Sequence, residues 1–204
     1  MDLYLDDEPL GSSAATVAEA VRAGAAAAAL RGRVVVEVYC DGQALPDSAL
    51  DADSDAAQEG GKEVRLVSVE PRSFVRVTLL DAADALDQLV QDQRRAAELV
   101  ERGERARAFT HIESAITVWE AVRRALADGA ALLAIDLDSV ALHAGARVTD
   151  RVGALSRALE ELRRCIKGDD VASLCDTLRF ELDAEAAAWR DMLRTVASRV
   201  ADTT

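Results

Sequence analysis

Apolar and polar positions alternate with a period of two in parts of the first 70 residues, then recur every three or four from about residue 73 onward. The opening "LYLDDEPL" (3–10) alternates and then enters an acidic turn ending at Pro9, which predicts a small hairpin. Thr16 and Glu19 form a capping box ahead of an Ala-rich helix. Their side chains can satisfy amides that the first turn leaves unpaired, and Gly32 ends the helix. The segment "VVVEVYCDGQAL" (34–45) predicts a strand with Val34, Val36, Val38 and Cys40 on one face and Glu37, Tyr39 and Asp41 on the other. Asp41-Gly42 supplies a tight hairpin, because both central residues of that turn need positive φ. After the polar stretch "DADSDAAQEGG" (51–61), "KEVRLVSVEP" (62–71) predicts a last strand stopped by Pro71. Strand pair, helix, strand pair, loop, strand is the order of a β-grasp, ubiquitin-like domain, placed at residues 1–71.

The remainder predicts four helices. The first runs from about Ser73 to Arg102, with Leu79, Ala83, Leu86, Val90, Ala97 and Val100 inward. The second starts near Glu104 and turns Phe109, Ile112, Ile116, Trp119, Val122 and Leu126 inward. A linker covers 134–148. The third helix, capped by Thr149 or Asp150, carries Val152, Leu155, Leu159, Leu162 and Ile166. The fourth begins after Gly168 with Asp169 as cap, and its stripe is Val171, Cys175, Leu178, Leu182, Ala186, Trp189, Leu193, Val196 and Val200. Arg102-Gly103-Glu104 and Lys167-Gly168-Asp169 are matching turns, each with a base, a glycine and an acid suited to the facing helix dipoles. Two helical hairpins and a linker predict an antiparallel four-helix bundle at 72–204, so the fold class is α+β.

Composition narrows the function. Half of the 204 residues are hydrophobic but only 3% are aromatic, so Ala, Leu and Val must fill the core. Net charge is −13. Residues 1–73 carry 14 acids and 6 bases, and 74–204 carry 23 and 18, so both parts are acidic. No basic stripe with interleaved aromatics is present, which argues against nucleic acid and anionic membranes as partners. The start "MDLYLDDEPL" has no signal-peptide character, and "AGAAAAAL" is too short to span a bilayer. Three cysteines without a framework spacing fit reduced thiols and a cytoplasmic location.

Candidate chemistry is sparse. Cys165 and Cys175 sit near an inward stripe, outside any Cys-x-x-Cys pair, and are expected to pack as small hydrophobes. Asp51, Asp53 and Asp55 begin like a calcium loop, but Ala56 stands where that loop needs glycine and Lys62 where it needs a bidentate Glu. His111 and His143 lack a partnered nucleophile, and Asp136 and Asp138 form a lone acidic pair. No catalytic, cofactor-binding or metal-binding constellation is therefore expected. Phe180 stands out. It lies two residues from both Leu178 and Leu182, so it faces away from the stripe, in company with Thr177, Ala184, Ala187 and Asp191. Phe180, Ala184 and Ala187 are the candidate protein-interaction residues.

The strings "TVAEAVRAGAAAAALRGRVVVEVYCDGQAL", "VRLVSVEP" and "GDDVASLCDTLRFELDAEAAAW" together resemble an uncharacterised bacterial family of cytosolic proteins. In that family a β-grasp-like front precedes a helical domain. The ending aligns on Phe180, Glu181, Leu182 and Trp189, and the resemblance implies no activity. Residues 79–196, with "GERARAFTHIESAITVWEAV", are also similar to flagellar export chaperones, small bundles that wrap a secreted helical client. The expectation is a non-catalytic, cytosolic adaptor or chaperone-like protein whose partner is another protein. A homodimer is compatible with it, and the alternative is a flagellar-type export chaperone.

Overall fold

The computed structural model describes residues 1–46, 61–140, 142 and 146–202. Its class is α+β, and chain contacts divide it into two compact units, Met1–Phe74 and Val75–Thr204.

The first unit is a five-stranded sheet with one helix. The strands β1 (Asp2–Leu5), β2 (Glu8–Ser13), β3 (Val34–Cys40), β4 (Gln43–Ala44) and β5 (Glu63–Val69) lie in the order β2-β1-β5-β3-β4. Only β1 and β5 are parallel; the other pairs are antiparallel. The long α1 (Val17–Leu30) connects β2 to β3. It starts as a capped helix, with Thr16 Oγ1 accepting the Glu19 amide at 3.2 Å and Glu19 Oε2 accepting the Ala15 amide at 2.8 Å. Both tight turns place two residues at positive φ, Asp6-Asp7 and Asp41-Gly42, which matches the right-handed twist of a two-residue hairpin.

The alternation expected along β3 is broken. Opposite β5, Val35 pairs with Ser68 and Glu37 with Val67, so Val36 is an extra residue in the ladder. The bulge shifts the facing by one. Val35, Val38 and Cys40 join Leu3, Leu5, Val64 and Leu66 in the core, and Val34 and Val36 do not.

A polar cluster closes one end of β5. Ser68, buried in the central strand, donates its amide and hydroxyl to the Asp6 carboxylate at 2.7 and 2.6 Å. Arg33 Nε in turn donates to Ser68 Oγ at 2.7 Å and lies 3.4 Å from Asp6 Oδ2. The Ser68 hydroxyl and amide, followed by Arg33, hold the Asp6 carboxyl below its ordinary range.

The second unit is helical: α2 (Pro71–Glu101), α3 (Arg105–Leu132), a 3₁₀ turn (Leu137–Ser139), α4 (Val148–Gly168), α5 (Val171–Asp176), one π-helical turn (Thr177–Glu181) and α6 (Leu182–Asp202). The first turn of α2 falls at the division between the units. Pro71 begins this helix instead of merely ending β5, because proline is preset for the first helical position. The carboxylate of Glu70 caps it, accepting the amides of Arg72 and Ser73 at 2.9 and 2.6 Å. Asp128-Gly129 does not break α3, whose Gly129 is buried. No helix among the described residues is long and apolar enough to cross a membrane.

Four helices end in one motif. At Gly32, Gly103, Ala134 and Asp169 the chain takes positive φ, and its amide and the next one fold back onto carbonyls of the last turn. The resemblance of the two short turns is thus structural, with a correction. Gly103 takes the left-handed position in the first, whereas in the second Gly168 stays helical and Asp169 takes it.

The helical core runs from Val75 to Val200. Its two indoles meet edge to face, Trp119 on α3 and Trp189 on α6, with centroids 5.8 Å apart and planes at 75°. One polar residue is wholly buried on α2: neither amide atom of Gln93 has a hydrogen-bond partner.

Three tests follow from this architecture. Ala134→Gly removes the left-handed penalty on a side chain and is expected to raise stability by about 0.5–1 kcal/mol, whereas Gly103→Ala, with open space around it, lowers it by about 1 kcal/mol. Thermal melts of the full chain read both. Gln93→Leu removes an unpaired amide from the core and is expected to gain about 1–2 kcal/mol in urea unfolding; a loss would show that the amide is satisfied in solution. Because the folded Asp6 carboxyl titrates low, its contribution is complete above the unfolded value of about 4 and is lost as pH falls through the folded one. The deficit of Asp6→Asn at pH 6 should therefore shrink below pH 4.

Candidate functional site

The sequence candidate Phe180 lies where α5 passes into α6. The segment opens at Asp170, whose Oδ1 accepts the Ser173 amide at 3.1 Å, so Asp170 and not Asp169 is the cap. Hydrogen bonding by the Ser173 hydroxyl, and then by its amide, holds the Asp170 carboxyl below its ordinary range. The helix is not continuous beyond it. The Leu182 amide reaches back five residues to the Thr177 carbonyl, making a π turn.

The π turn changes which residues face inward. Leu174 and Leu182, eight apart, would sit about 80° from each other on an unbroken α-helix. The wider turn, with less rotation per residue, brings both into the core together with Leu178 and Thr177. Thr177 is therefore inside, not on the outer face where spacing alone puts it. Phe180 is 67% exposed, and Ala184, Ala187 and Asp191 are exposed with it.

Electrostatics around this segment are sorted by side. Every arginine between 176 and 194 turns toward α2. Arg179 makes a two-pronged contact with Glu101, its Nη2 lying 2.7 Å from Oε2. Arg94 Nε donates to Asp183 Oδ2 at 2.8 Å, Arg190 Nη1 lies 2.7 Å from Asp87, and Arg194 Nη2 lies 3.1 Å from Asp84. The Arg179 hydrogen bonds hold the Glu101 carboxyl below its ordinary range. On the outward side, Asp176, Glu181 and Asp191 are exposed, and among the described residues none of their carboxylates has an ion pair or side-chain hydrogen bond.

A second apolar feature was missed by periodicity. Phe109 and Val171, both expected inside, are 42% and 38% exposed, because Ala108 and Leu174 take the inward positions. They flank a shallow cleft of about 30 Å³ lined also by Val100, Ile112, Ile166 and Cys165, with Arg105 and Asp169 paired at 2.8 Å among its walls. For Phe109 the sequence signal was its adjacency to the small apolar Ala108.

The other candidates among the described residues make packing, capping or interhelical contacts. Cys165 is fully buried, while Ile166 is only partly so. Burial and the neighbouring Glu161 push its thiol up, and burial does the same to Cys175, whose Sγ lies 3.7 Å from the Ala97 carbonyl. Raised thiols are weak nucleophiles near neutral pH. His111 Nδ1 sits 3.1 Å from Asp92 Oδ1, an α3–α2 contact. Asp136 caps the 3₁₀ turn, accepting the Asp138 amide at 3.0 Å. Asp51, Asp53, Asp55 and His143 lie outside the described residues. Among the described residues, no three metal-ligating side chains converge. Comparison with protein-family models, with curated proteins and with solved structures returned no match.

Proposed function

We propose that this is a non-catalytic protein-interaction module, and that the outer face of the α5–α6 segment, with Phe180, Ala184 and Ala187, is where it engages another protein. The supporting observation is Phe180 itself. A large aromatic stands 67% exposed on a π turn, with exposed alanines one and two turns beyond it. An aromatic anchor with small neighbours leaves room for a second backbone to approach, the arrangement that concentrates binding energy at interfaces. We further assign the sheet order and its single parallel pair to a β-grasp arrangement, and the helical unit to a four-helix bundle whose last helix is interrupted by the π turn.

The reading is tested by separating binding from folding. Phe180→Ala truncates an exposed side chain, so its effect on thermal stability should stay within about 0.5 kcal/mol. The same change should abolish complexes recovered from native cells through the tagged full chain. A large loss of stability, or unchanged complexes, would remove this face from the interaction.

A further inference from the structure

Resting on the proposed docking face, we infer that its partner presents a cationic amphipathic helix, with an apolar side chain seated beside Phe180 and arginines or lysines flanking it.

The selectivity follows from the division of charge on this segment. Arg179, Arg190 and Arg194 are engaged by Glu101, Asp87 and Asp84 of α2, so these bases do not serve the outer face. What remains on the stripe of Phe180 itself is acidic, while Arg151 and Arg199 share a cleft with Asp191 at its far end. Asp176 precedes Phe180 by four residues and Asp191 follows it by eleven, which puts both on its helical stripe, and Glu181 flanks it. The three exposed carboxylates frame an apolar strip made by Phe180, Ala184 and Ala187, about 11 Å long from Phe180 to Ala187 at helical rise. Two turns of an incoming helix fit that length. The small alanines let the two backbones come close, and the frame favours positive charge on both flanks.

A second copy of this chain fits poorly. An isologous contact through the same face would bring its carboxylates against their own counterparts, in a chain of net charge −13. Acidic helices and nucleic acid are disfavoured by the same frame. Charge complementarity therefore selects one class of occupant.

The probe is a synthetic 20-residue helical peptide with a Leu/Phe stripe flanked by Arg, compared with its Glu-for-Arg counterpart, titrated into the isotope-labelled full chain. The Arg peptide should bind, shift amide resonances across 176–191, and weaken as salt is raised from 50 to 300 mM. Joint neutralisation by Asp176→Asn, Glu181→Gln and Asp191→Asn should weaken it about tenfold at low salt, at roughly a factor of two per exposed pair. Phe180→Ala should abolish the shifts while leaving the rest of the spectrum folded. Equal binding of the Glu peptide, or affinity unmoved by salt and by the triple change, would overturn the charge assignment while leaving docking at Phe180 in place. Failure of both peptides to shift 176–191 overturns the inference. If native complexes nonetheless depend on Phe180, the docking face survives with a different partner; if they do not, both readings fall. A dimer in sedimentation that Phe180→Ala dissociates would assign the face to a second copy and overturn the inference.

Discussion

The helical unit depends on one constraint, the burial of the α5–α6 apolar stripe in the core that α2 also builds. That stripe is longer than a regular helix can keep on one line, since it must bring Leu174, Leu178 and Leu182 inward and then continue through Trp189 to Val200. The π turn resolves the misfit by inserting one residue into one turn. Its cost is a locally poorer hydrogen-bond ladder. Its consequence is that Thr177 goes inside, while Phe180 stays exposed as its spacing from Leu178 and Leu182 predicts.

The ion pairs between α2 and α6 share that dependence. Glu101 with Arg179, Arg94 with Asp183, Asp87 with Arg190 and Asp84 with Arg194 step along the two helices in antiparallel order. Each is at least partly solvent-exposed and individually modest, so their main effect is to fix register rather than to supply stability. By engaging Arg179, Arg190 and Arg194, they leave carboxylates as the charged groups on the stripe of Phe180. Among the described residues of this core, the aromatic contribution is the edge-to-face contact of Trp119 on Trp189, in surroundings built mostly from Leu, Val and Ala.

Local chemistry carried much of the architecture. Thr16 and Glu19 cap α1, Asp41-Gly42 turns the hairpin, and the three-and-four spacing of Leu79, Ala83 and Leu86 marks the inner face of α2. These features depend on neighbours within a few residues, so they are legible without a fold. The failures share a cause. Val36, Phe109, Val171 and Thr177 each sit where spacing is right but a longer-range fit decides: a bulge against β5, Ala108 preferred inside α3, Leu174 preferred inside α5, and the π turn. Phe180 was legible as an outward aromatic because its two leucine neighbours are strongly inward. The cleft beside Phe109 was not, because it exists only where separate helix ends meet.

By itself, then, the sequence determined the class of each segment, the turns, the acidic balance and the placement of Phe180 off the apolar stripe, since all of these follow from composition and short-range spacing. The tertiary structure alone decided strand order, the bulge, the π turn and the turning of Arg179, Arg190 and Arg194 toward α2. Those depend on which surfaces meet across distant parts of the chain. The acidic frame around Phe180 belongs to this second group: its carboxylates are visible in the sequence, but their lack of partners arises only once α2 has engaged the bases.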